Sequence, residues 1–437
     1  MSESNESIDM VSDSTFVDES FFTGDVDESE KKESDSISSM FQEQYSPKQI
    51  GSIAKYTEPV NGSSPLETAI QLFKENESLK VMPVEEYDRV VGFIDRKTIT
   101  ANTNSVWKKI TAGNVIDYTQ RVETILNAND FIEKVLQKVS SINREYGIIY
   151  FPVFNNGSFY GMASLDDFLD RIAEIREQDL EKASVIQKNF FPQDDFVATL
   201  PYSFHAWNQM ANSLGGDIYQ IYNFSDKKSL ICCCDVSGKN VAAALLTITV
   251  GSFFSSLKAI KSVERNPVKV IALLDDFLHR VVPAGNFITA VFCYVDEENK
   301  KLCIFNCGHT TTYLLAKEGA DQSKGKIAKI DPKLPPLGMG VVASELEKSL
   351  TEKNPLKRPY LAYQLTHGLH LDMYSDGFTD MKSENGVRYE DERAKKFFEK
   401  LYDLNDDEIL PFIDKTVKSW IGNAMLPDDV TVLDVRF

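Results

Sequence analysis

Acidic residues stand at the ends of apolar, strand-like runs at four places between residues 217 and 429 of this 437-residue sequence. Asp217 lies in LGGDIY, Asp235 ends the run in CCCDVSG, Asp376 lies in MYSDGFTD, and Asp428 and Asp429 open DDVTVLDV. A carboxylate at the end of a buried strand is costly unless a cation or hydrogen-bond donors compensate it. Carboxylates from distant segments can converge where strands of neighbouring sheets end together, and a hard divalent cation then offsets their repulsion. The pattern predicts a metal site built from aspartates.

The donor set also indicates the chemistry. Carboxylate oxygens suit Mg²⁺ or Mn²⁺ rather than zinc or copper. Two such ions can hold a water molecule, lower its pKa and neutralise the charge that develops on phosphate oxygens during in-line displacement. Each motif alone is a common turn or cap sequence, so the prediction depends on their order and combination.

The blocks LGGDIY, DVSGKNVAAALL, NCGHTTTYLL, PPLGMG, YSDGFTD and DDVTVL resemble, in this order, a family of metal-dependent serine/threonine phosphatases. These are the 2C-like (PPM) enzymes of the stage II sporulation protein E and RsbU type. The resemblance covers about residues 212–437, and SVIQKNFFP before it is similar to the family's IQ...LLP segment. It implies an α+β fold in which a two-sheet antiparallel β-sandwich is flanked by helices.

The resemblance also implies a binuclear Mn²⁺ or Mg²⁺ centre at one end of the sandwich. Four aspartates would be the catalytic metal ligands: Asp217 on the first ion, Asp235 bridging both, and Asp376 and Asp428 on the second. The main-chain carbonyl of Val236 would complete the first ion's shell. Supporting roles around these ligands are expected for Asp429, Gly216 and Lys239.

The sequence departs from the family pattern at three positions. Lys239 and Asn240 replace the His and Gly of the usual DVSGHG, and Gln220 stands where a second acidic residue often follows GGD. None of these is an expected ligand, so catalysis is not excluded. His309, in the NCGH block, is interpreted as a structural or supporting residue, since a lone histidine is more often a satisfied core residue than a ligand.

An internal repeat precedes the acidic motifs. PVEEYDRVVGF begins at Pro83 and PVFNNGSFYGM at Pro152, and Gly92 and Gly161 keep the same offset (152 − 83 = 69 and 161 − 92 = 69). Each unit reads as helix, strand, turn, strand and helix. The pair resembles two cystathionine-beta-synthase (CBS) domains, which form βαββα units and often bind adenosine nucleotides.

The resemblance places one nucleotide site in the second repeat. In nucleotide-binding CBS domains a Ser or Thr and an Asp follow the glycine, and GMASLDD supplies Ser164 and Asp167 at those positions. The first repeat reads GFIDRKT, with Asp95 and Thr98, and departs from the pattern. Ser164 also fits a helix cap before LDDF, and the two interpretations remain open.

The chain is therefore expected to contain four parts. An acidic tail at 1–55 is predicted to be disordered, 56–175 to form the CBS pair, 176–196 a helical linker and 197–437 the phosphatase domain. The apolar stripe of residues 165–191 could lie on another domain or pair with the same helix of a second copy, giving a possible homodimer. The stretch from Val241 to Leu257 is interpreted as a buried helix, since it falls short of a membrane span.

Charge and cysteine content exclude several classes of partner. The net charge is −19, and residues 1–40 hold 12 acidic and 2 basic residues, so they carry −10 of it. So acidic a chain favours neither nucleic acid nor an anionic membrane. All six cysteines lie in apolar strand-like runs without metal-binding spacing, which indicates buried, reduced thiols in a cytoplasmic protein.

The sequence predicts a CBS-regulated phosphatase that acts on phosphoserine or phosphothreonine of a signalling protein. Anti-sigma-factor antagonists are the family's typical substrates, and they enter here by analogy alone. Two alternatives remain open. One is a catalytically inactive, nucleotide-sensing scaffold that binds a signalling partner. The other is a small-molecule phosphohydrolase that uses the same metal site.

Overall fold

The computed structural model describes residues 44–103, 113–121, 124–147, 149–238, 241–259, 266–317 and 325–437. The chain divides into two compact units, Met1–Glu177 and Gln178–Phe437. Most of the predicted acidic tail lies outside the described residues, and so do Lys239 and Asn240.

The first unit contains two βαββα repeats, as predicted. The first repeat comprises β1 (Val60–Asn61), α1 (Leu66–Glu75), β2 (Val81–Glu86), β3 (Arg89–Asp95) and α2 (Arg96–Thr103), and β4 (Gln120–Arg121) extends its sheet in the order β1-β2-β3-β4. The second comprises β5 (Leu126–Asn127), α3 (Ile132–Tyr146), β6 (Tyr150–Asn155), β7 (Ser158–Ser164) and the start of α4 (Leu165–Lys188), with the sheet order β5-β6-β7.

The repeated glycines occupy equivalent positions in the two sheets. Gly92 pairs with Val84, and Gly161 pairs with Val153. A Cβ on Gly161 would lie 2.7 Å from the main-chain oxygen of Lys55, and a Cβ on Gly92 would overlap the main-chain oxygen of Gln120. Each glycine therefore allows a neighbouring backbone segment to approach its sheet.

The expected disorder of the tail up to residue 55 is wrong for its last part. Tyr45, Ile50 and Ala54 are buried in the core of the second repeat, in the same cluster as Phe151 and Phe168. A short 3₁₀ turn spans Ile50–Ser52. The average composition of the tail conceals these few apolar residues, whose burial offsets the entropy of ordering the segment.

The second unit is an antiparallel β-sandwich. Sheet A has the strand order β15-β12-β11-β10-β9, and sheet B has the order β14-β13-β16-β17-β8. Its strands are β8 (Ser203–Gln209), β9 (Asp217–Ser225), β10 (Lys228–Val236), β11 (Ile288–Asp296), β12 (Lys301–Cys307), β13 (Thr312–Lys317), β14 (Gly325–Ile330), β15 (Leu361–Gln364), β16 (His370–Tyr374) and β17 (Val430–Arg436).

Helices cover both outer faces of the sandwich. They are α5 (Asp194–Val197), α6 (Val241–Ala259), α7 (Pro267–Val281), α8 (Val342–Ser349), α9 (Asp376–Asp380), α10 (Glu390–Leu401) and α11 (Asp406–Ile421). The α+β sandwich flanked by helices is confirmed.

Three apolar clusters hold these layers together. Alternate residues of one strand serve two of them: Ile231 and Cys233 face sheet B, whereas Cys232 and Cys234 face α6 and α7. The third cluster lies between sheet B and the pair α10 and α11, around Phe398. A strand buried on both faces explains why CCC continues an unbroken apolar run. All six cysteines are free and buried, as predicted.

The apolar helix α6 packs against sheet A. Val250 and Phe254 on its inner face are fully buried, and Val241 and Leu245 on its outer face are exposed. By length and composition alone this helix could cross a membrane. Its participation in the sandwich core agrees with the predicted buried helix.

A buried pair of carboxyls lies between sheet B and its helices, within the strands β16 and β17. Asp372 and Asp434 are directly opposite each other on β16 and β17. Arg436 Nε donates to Asp434 Oδ1 at 2.8 Å, and His205 Nδ1 lies 3.4 Å from the same oxygen. Burial and the charge of Asp434 raise the pKa of Asp372 well above its usual range. Burial opposes ionisation of Asp434 as well, but His205 and Arg436 lower its pKa below the usual range.

Asp372→Asn is therefore expected to stabilise the domain at alkaline pH. The folded domain holds a proton on Asp372 that the unfolded chain releases above about pH 4, so this residue's contribution falls as pH rises toward the raised folded pKa. The amide introduced by the substitution would keep a neutral donor at every pH. Thermal unfolding should show a melting temperature about 2–4 °C higher at pH 8, the shift that about 1 kcal/mol gives in a domain of this size, and little change near pH 4.

Asp434→Asn is the matched comparison, because it removes the partner of Arg436 and His205. It should lower the melting temperature across the same pH range. If both substitutions changed the melting temperature equally, the proton would not reside mainly on Asp372, and the assignment would be wrong.

Candidate active site

The predicted aspartates meet at one end of the sandwich. Asp217 begins β9, and the antiparallel register places it directly opposite Asp235 near the end of β10. In sheet B, Asp376 follows the end of β16, and Asp428 and Asp429 directly precede β17. The neighbouring strands of the two sheets thus bring aspartates from distant parts of the second unit to the same end of the sandwich.

Asp217 joins the two sheets at this end. Its side chain is buried, and Thr431 Oγ1 on β17 donates to Asp217 Oδ2 at 2.6 Å. Burial raises the pKa of Asp217 well above its usual range, and the nearby charges of Asp235 and Asp429 raise it further. A cation placed between Asp217 and Asp235 would reverse this effect, since an opposite charge favours the ionised form.

Asp235 is half-buried and lies opposite Thr289 on β11. Thr289 Oγ1 lies 3.3 Å from the main-chain oxygen of Asp235 and 2.9 Å from His309 Nδ1. Burial lowers the pKa of His309 to about 4, so this imidazole is neutral at physiological pH. His309 therefore contacts Thr289 on β11, the strand next to the one that carries Asp235, and this position suits a supporting residue.

Gly377 allows the two acidic segments of sheet B to meet. A Cβ on this glycine would overlap the main-chain oxygen of Asp429 and lie 3.2 Å from the Cβ of Asp428. The preceding Ser375 is bound to β17: its N–H donates to the oxygen of Thr431 at 3.0 Å, and its hydroxyl accepts from the N–H of Thr431 at 2.9 Å. Asp376 is consequently held beside Asp428 while its own side chain stays exposed to solvent.

Asp429 holds the loop that leads into β9. Its carboxylate accepts from the N–H groups of Ala211 and Gly216, at 2.7 and 2.6 Å. A Cβ on Gly216 would lie 3.0 Å from the main-chain oxygen of Val236, so the glycine permits close approach of β10. Gly216 and Asp429 are thus placed to shape the site, and their supporting roles stay a prediction.

The chemistry of this edge suits a hard divalent cation. The ligand candidates are aspartate side chains and a main-chain carbonyl, all oxygen donors. Within the described ranges, no three acidic, histidine or cysteine side chains already surround a single point at coordinating distance. The aspartates are close enough to perturb one another, and an ion would draw them together by offsetting that repulsion.

The predicted nucleotide site in the first unit is engaged in local hydrogen bonds. Asp167 Oδ2 accepts from the N–H and the hydroxyl of Ser164, at 2.8 and 2.5 Å, and Lys55 Nζ lies 2.7 Å from Asp167 Oδ1. Ser164 Oγ in turn accepts from the N–H of Asp167. The helix-capping interpretation of Ser164 is thus observed. Nucleotide binding there stays a prediction, and a ribose would have to displace these contacts.

The first repeat has the same hydrogen-bonded pair of an aspartate and a hydroxyl residue, with the aspartate first in the sequence. Asp95 accepts from the N–H of Thr98 at 2.8 Å and from its hydroxyl at 2.6 Å. Each repeat therefore joins an acidic and a hydroxyl side chain at the start of its last helix, whichever comes first in the sequence.

Two glutamines beside the site were not predicted as functional. Gln187, in the last turn of α4, is fully buried and bonds the main chain of Gly215. Gln220, where the family often has an acid, donates instead to the main-chain oxygen of Phe190. The sequence shows Gln187 only as one of several polar residues in SVIQKNFF, and its partner Gly215 is 28 residues away.

Comparison with known families agrees with this geometry. The sequence model of the stage II sporulation protein E (SpoIIE) family matches residues 225–437, which include β10 to β17 and four of the five site aspartates. The carboxyl-terminal domain belongs to the SpoIIE family. A CBS-domain model matches residues 55–102, the first repeat of the other unit.

Among curated proteins, the SpoIIE-type domain is similar to phosphoserine phosphatase RsbP of Bacillus subtilis. The two are 25% identical over 139 residues, which is 30% of this chain and 33% of RsbP. The match therefore spans about one third of that relative.

One solved structure shows the same fold. The PP2C domain of SiaA from Pseudomonas aeruginosa aligns with a TM-score of 0.50 at 20% identity, covering 61% of this chain and 98% of that one. The phosphatase domain of SpoIIE from Bacillus subtilis, with a fragment of its regulatory domain, aligns at 0.40 and 17% identity over 54% and 63%. The sandwich is a PP2C-type fold.

Proposed function

We propose that this chain is a metal-dependent phosphoprotein phosphatase of signal transduction. The observation that carries the proposal is the pairing of buried Asp217 with half-buried Asp235 at the end of the sandwich where Asp376 and Asp428 also lie. Thr431 of the other sheet donates to Asp217 at this end. The nearby charges of Asp235 and Asp429 disfavour ionisation of Asp217, and a divalent cation between these carboxylates would compensate that repulsion.

Two Mn²⁺ or Mg²⁺ ions would be held by Asp217, Asp235, Asp376 and Asp428 with the Val236 carbonyl, and would supply an activated water and charge neutralisation. The protein's own residues position the ligands. Asp429 fixes the Gly216 loop through two main-chain donors, and Gly377 brings Asp376 next to Asp428. Because Asp376 is exposed and Asp235 half-buried, a phosphate on a protein surface can reach this edge.

The proposed substrate is phosphoserine or phosphothreonine of a small signalling protein, comparable to an anti-sigma-factor antagonist. Support comes from the SpoIIE family match and from RsbP, which is named a phosphoserine phosphatase. The protein is proposed to work in the cytoplasm.

Regulation is assigned to the CBS pair through α4. An adenosine nucleotide at Ser164 and Asp167 would favour one arrangement of that helix. Leu169, Val185 and Ile186 are exposed on α4, which suits pairing with a second copy. Light scattering with and without AMP or ATP tests both points, and a monomer unaffected by either nucleotide would count against them.

The decisive experiment measures phosphate release by the full chain with Mn²⁺ or Mg²⁺, using phosphoserine and phosphothreonine peptides and free nucleotides. We expect hydrolysis of the phosphopeptides that stops on chelation with EDTA. Turnover of nucleotides alone would indicate the small-molecule phosphohydrolase. No turnover by a folded chain that still binds a phosphoprotein partner would indicate the inactive scaffold.

A further inference from the structure

We propose that the groove between α10 and α11 docks an acidic peptide segment of a partner protein. The groove has a volume of about 260 Å³ and lies wholly within the second unit. Docking there requires neither a metal ion nor phosphate release, so this surface goes beyond the proposed function and can be tested without it.

Three cationic side chains of α10 line the groove, namely Arg393, Lys396 and Lys400. Their spacing of three and four residues places them on one face of the helix. Lys396 and Lys400 are exposed, and neither has an ion-pair partner among the described residues. The described residues that line the groove include no acidic side chain. In a chain with a net charge of −19, this concentration of positive charge favours an anionic partner at this face.

Aromatic side chains line the groove as well. Phe397 is buried, and its ring stacks on that of half-buried Phe412 from α11, with the ring centroids 5.3 Å apart and the planes inclined by 15°. Tyr389 is also buried, and its ring meets the Trp420 ring edge-on at 5.2 Å. An apolar side chain that enters the groove would be shielded from water by these rings. A docked segment is therefore expected to carry one apolar residue as well as negative charge.

Arg393 is held in place beside Tyr389. Its Nη1 donates to the main-chain oxygens of Tyr389 and Arg388, at 3.1 and 3.3 Å, and its guanidinium carbon lies 5.0 Å from the centre of the Trp420 ring. The exposed Glu390 carboxylate is 3.9 Å from Nη1, and an exposed pair at that distance contributes little. An arriving carboxylate would meet a guanidinium that is already positioned, so binding would cost little side-chain entropy.

The spacing of the charges suits an extended peptide. Arg393 and Lys400 are seven positions apart, which corresponds to about 10 Å along a helix. Alternate residues of an extended chain are about 7 Å apart, so acidic side chains of one segment can reach cations along this length. The groove is smaller than the ~300–1,000 Å³ of pockets for drug-sized ligands, which favours a peptide side chain over a small molecule. An anionic membrane would be repelled by the net charge of −19.

The test measures binding of a synthetic peptide to the full chain in the presence of EDTA. The peptide alternates Glu with Ser around a central Phe and carries a fluorescent label, so that fluorescence anisotropy reports the bound fraction. EDTA removes metal ions that would bridge the peptide to the aspartates. Lys396→Glu and Lys400→Glu are compared with the parent, and Lys415→Glu is the control. Lys415 is exposed on α11 and is not among the residues that line the groove.

We expect the parent to bind the peptide and each groove variant to raise Kd about fivefold to tenfold, because the substitution replaces an attraction by a repulsion. The control should change Kd less than about twofold. Replacing the Phe of the peptide by Ser should weaken binding to the parent by at least about tenfold, because a buried aromatic anchor contributes much of the affinity. The parent and the variants should melt within about 2 °C of one another, since the substituted lysines are exposed.

Three outcomes would overturn the docking surface. The first is a folded parent that does not bind the peptide. The second is an equal loss of binding in Lys415→Glu, which would assign the attraction to general surface charge. The third is binding of phosphatidylserine vesicles in place of the peptide, which would make this face a membrane contact. None of these results depends on phosphate release, so a failure of the proposed function is recognised separately.

Discussion

Asp235→Asn is expected to lower kcat for phosphopeptide hydrolysis on the order of 10³-fold or more while leaving the metal-free domain at least as stable as the parent. Activity should fall because Asp235 is the proposed bridge between the two ions. Stability should hold because the charge of Asp235 opposes ionisation of its buried neighbour Asp217, and an amide relieves that repulsion. Steady-state kinetics and thermal unfolding without metal measure the two effects separately.

Two comparisons sharpen this test. Asp376→Asn should lose activity to a similar extent without gaining stability, because its side chain is exposed. Asp226→Asn, in the exposed turn at the opposite end of the β9–β10 hairpin, should leave both quantities unchanged. Retained turnover in Asp235→Asn would remove this residue from the mechanism, and a lowered melting temperature would show that the acidic pair stabilises the fold.

Gly377→Ala is expected to destabilise the second unit by at least about 3 kcal/mol. The added Cβ would overlap the main-chain oxygen of Asp429, and a backbone atom directly before β17 cannot move aside as a flexible side chain can. The substitution should also separate Asp376 from Asp428, so residual folded protein should lack activity. Urea unfolding measures the loss of stability.

Gly386→Ala is the appropriate control for this substitution. Gly386 has φ 77° and no atom within 4 Å of an added Cβ, so it isolates backbone strain from overlap. It should cost only about 1–2 kcal/mol. If the two substitutions cost the same, the close approach at Gly377 is not what constrains that position.

The sequence predicts those features that depend on local pattern. The ends of apolar strands located Asp217 and Asp235, because an antiparallel pair returns its ends to one edge. The constant offset between Gly92 and Gly161 located the paired repeats, because each close backbone approach excludes a side chain.

Features that depend on distant packing were not predictable. Gln187 reads as one polar residue near a helix end, and only the folded chain shows its bonds to Gly215 and Thr247. Asp372 and Asp434 are 62 positions apart, and each alone resembles an ordinary polar residue in a strand. Tyr45 and Ile50 were not recognised in their polar segment because their partners lie far along the chain, between Leu126 and Ile172.

The hydrogen bond between Thr431 and Asp217 connects the two sheets beside the site. Because the proposed ligands come from both sheets, an ion bound there would hold the two sheets together and would be released only when they separate. Its affinity would then measure how tightly the layers are packed, so substitutions in the inter-sheet core could change metal occupancy from a distance. Removal of metal would in turn loosen the whole sandwich, and the activity of stored protein would depend on the free ion concentration as much as on its catalytic residues.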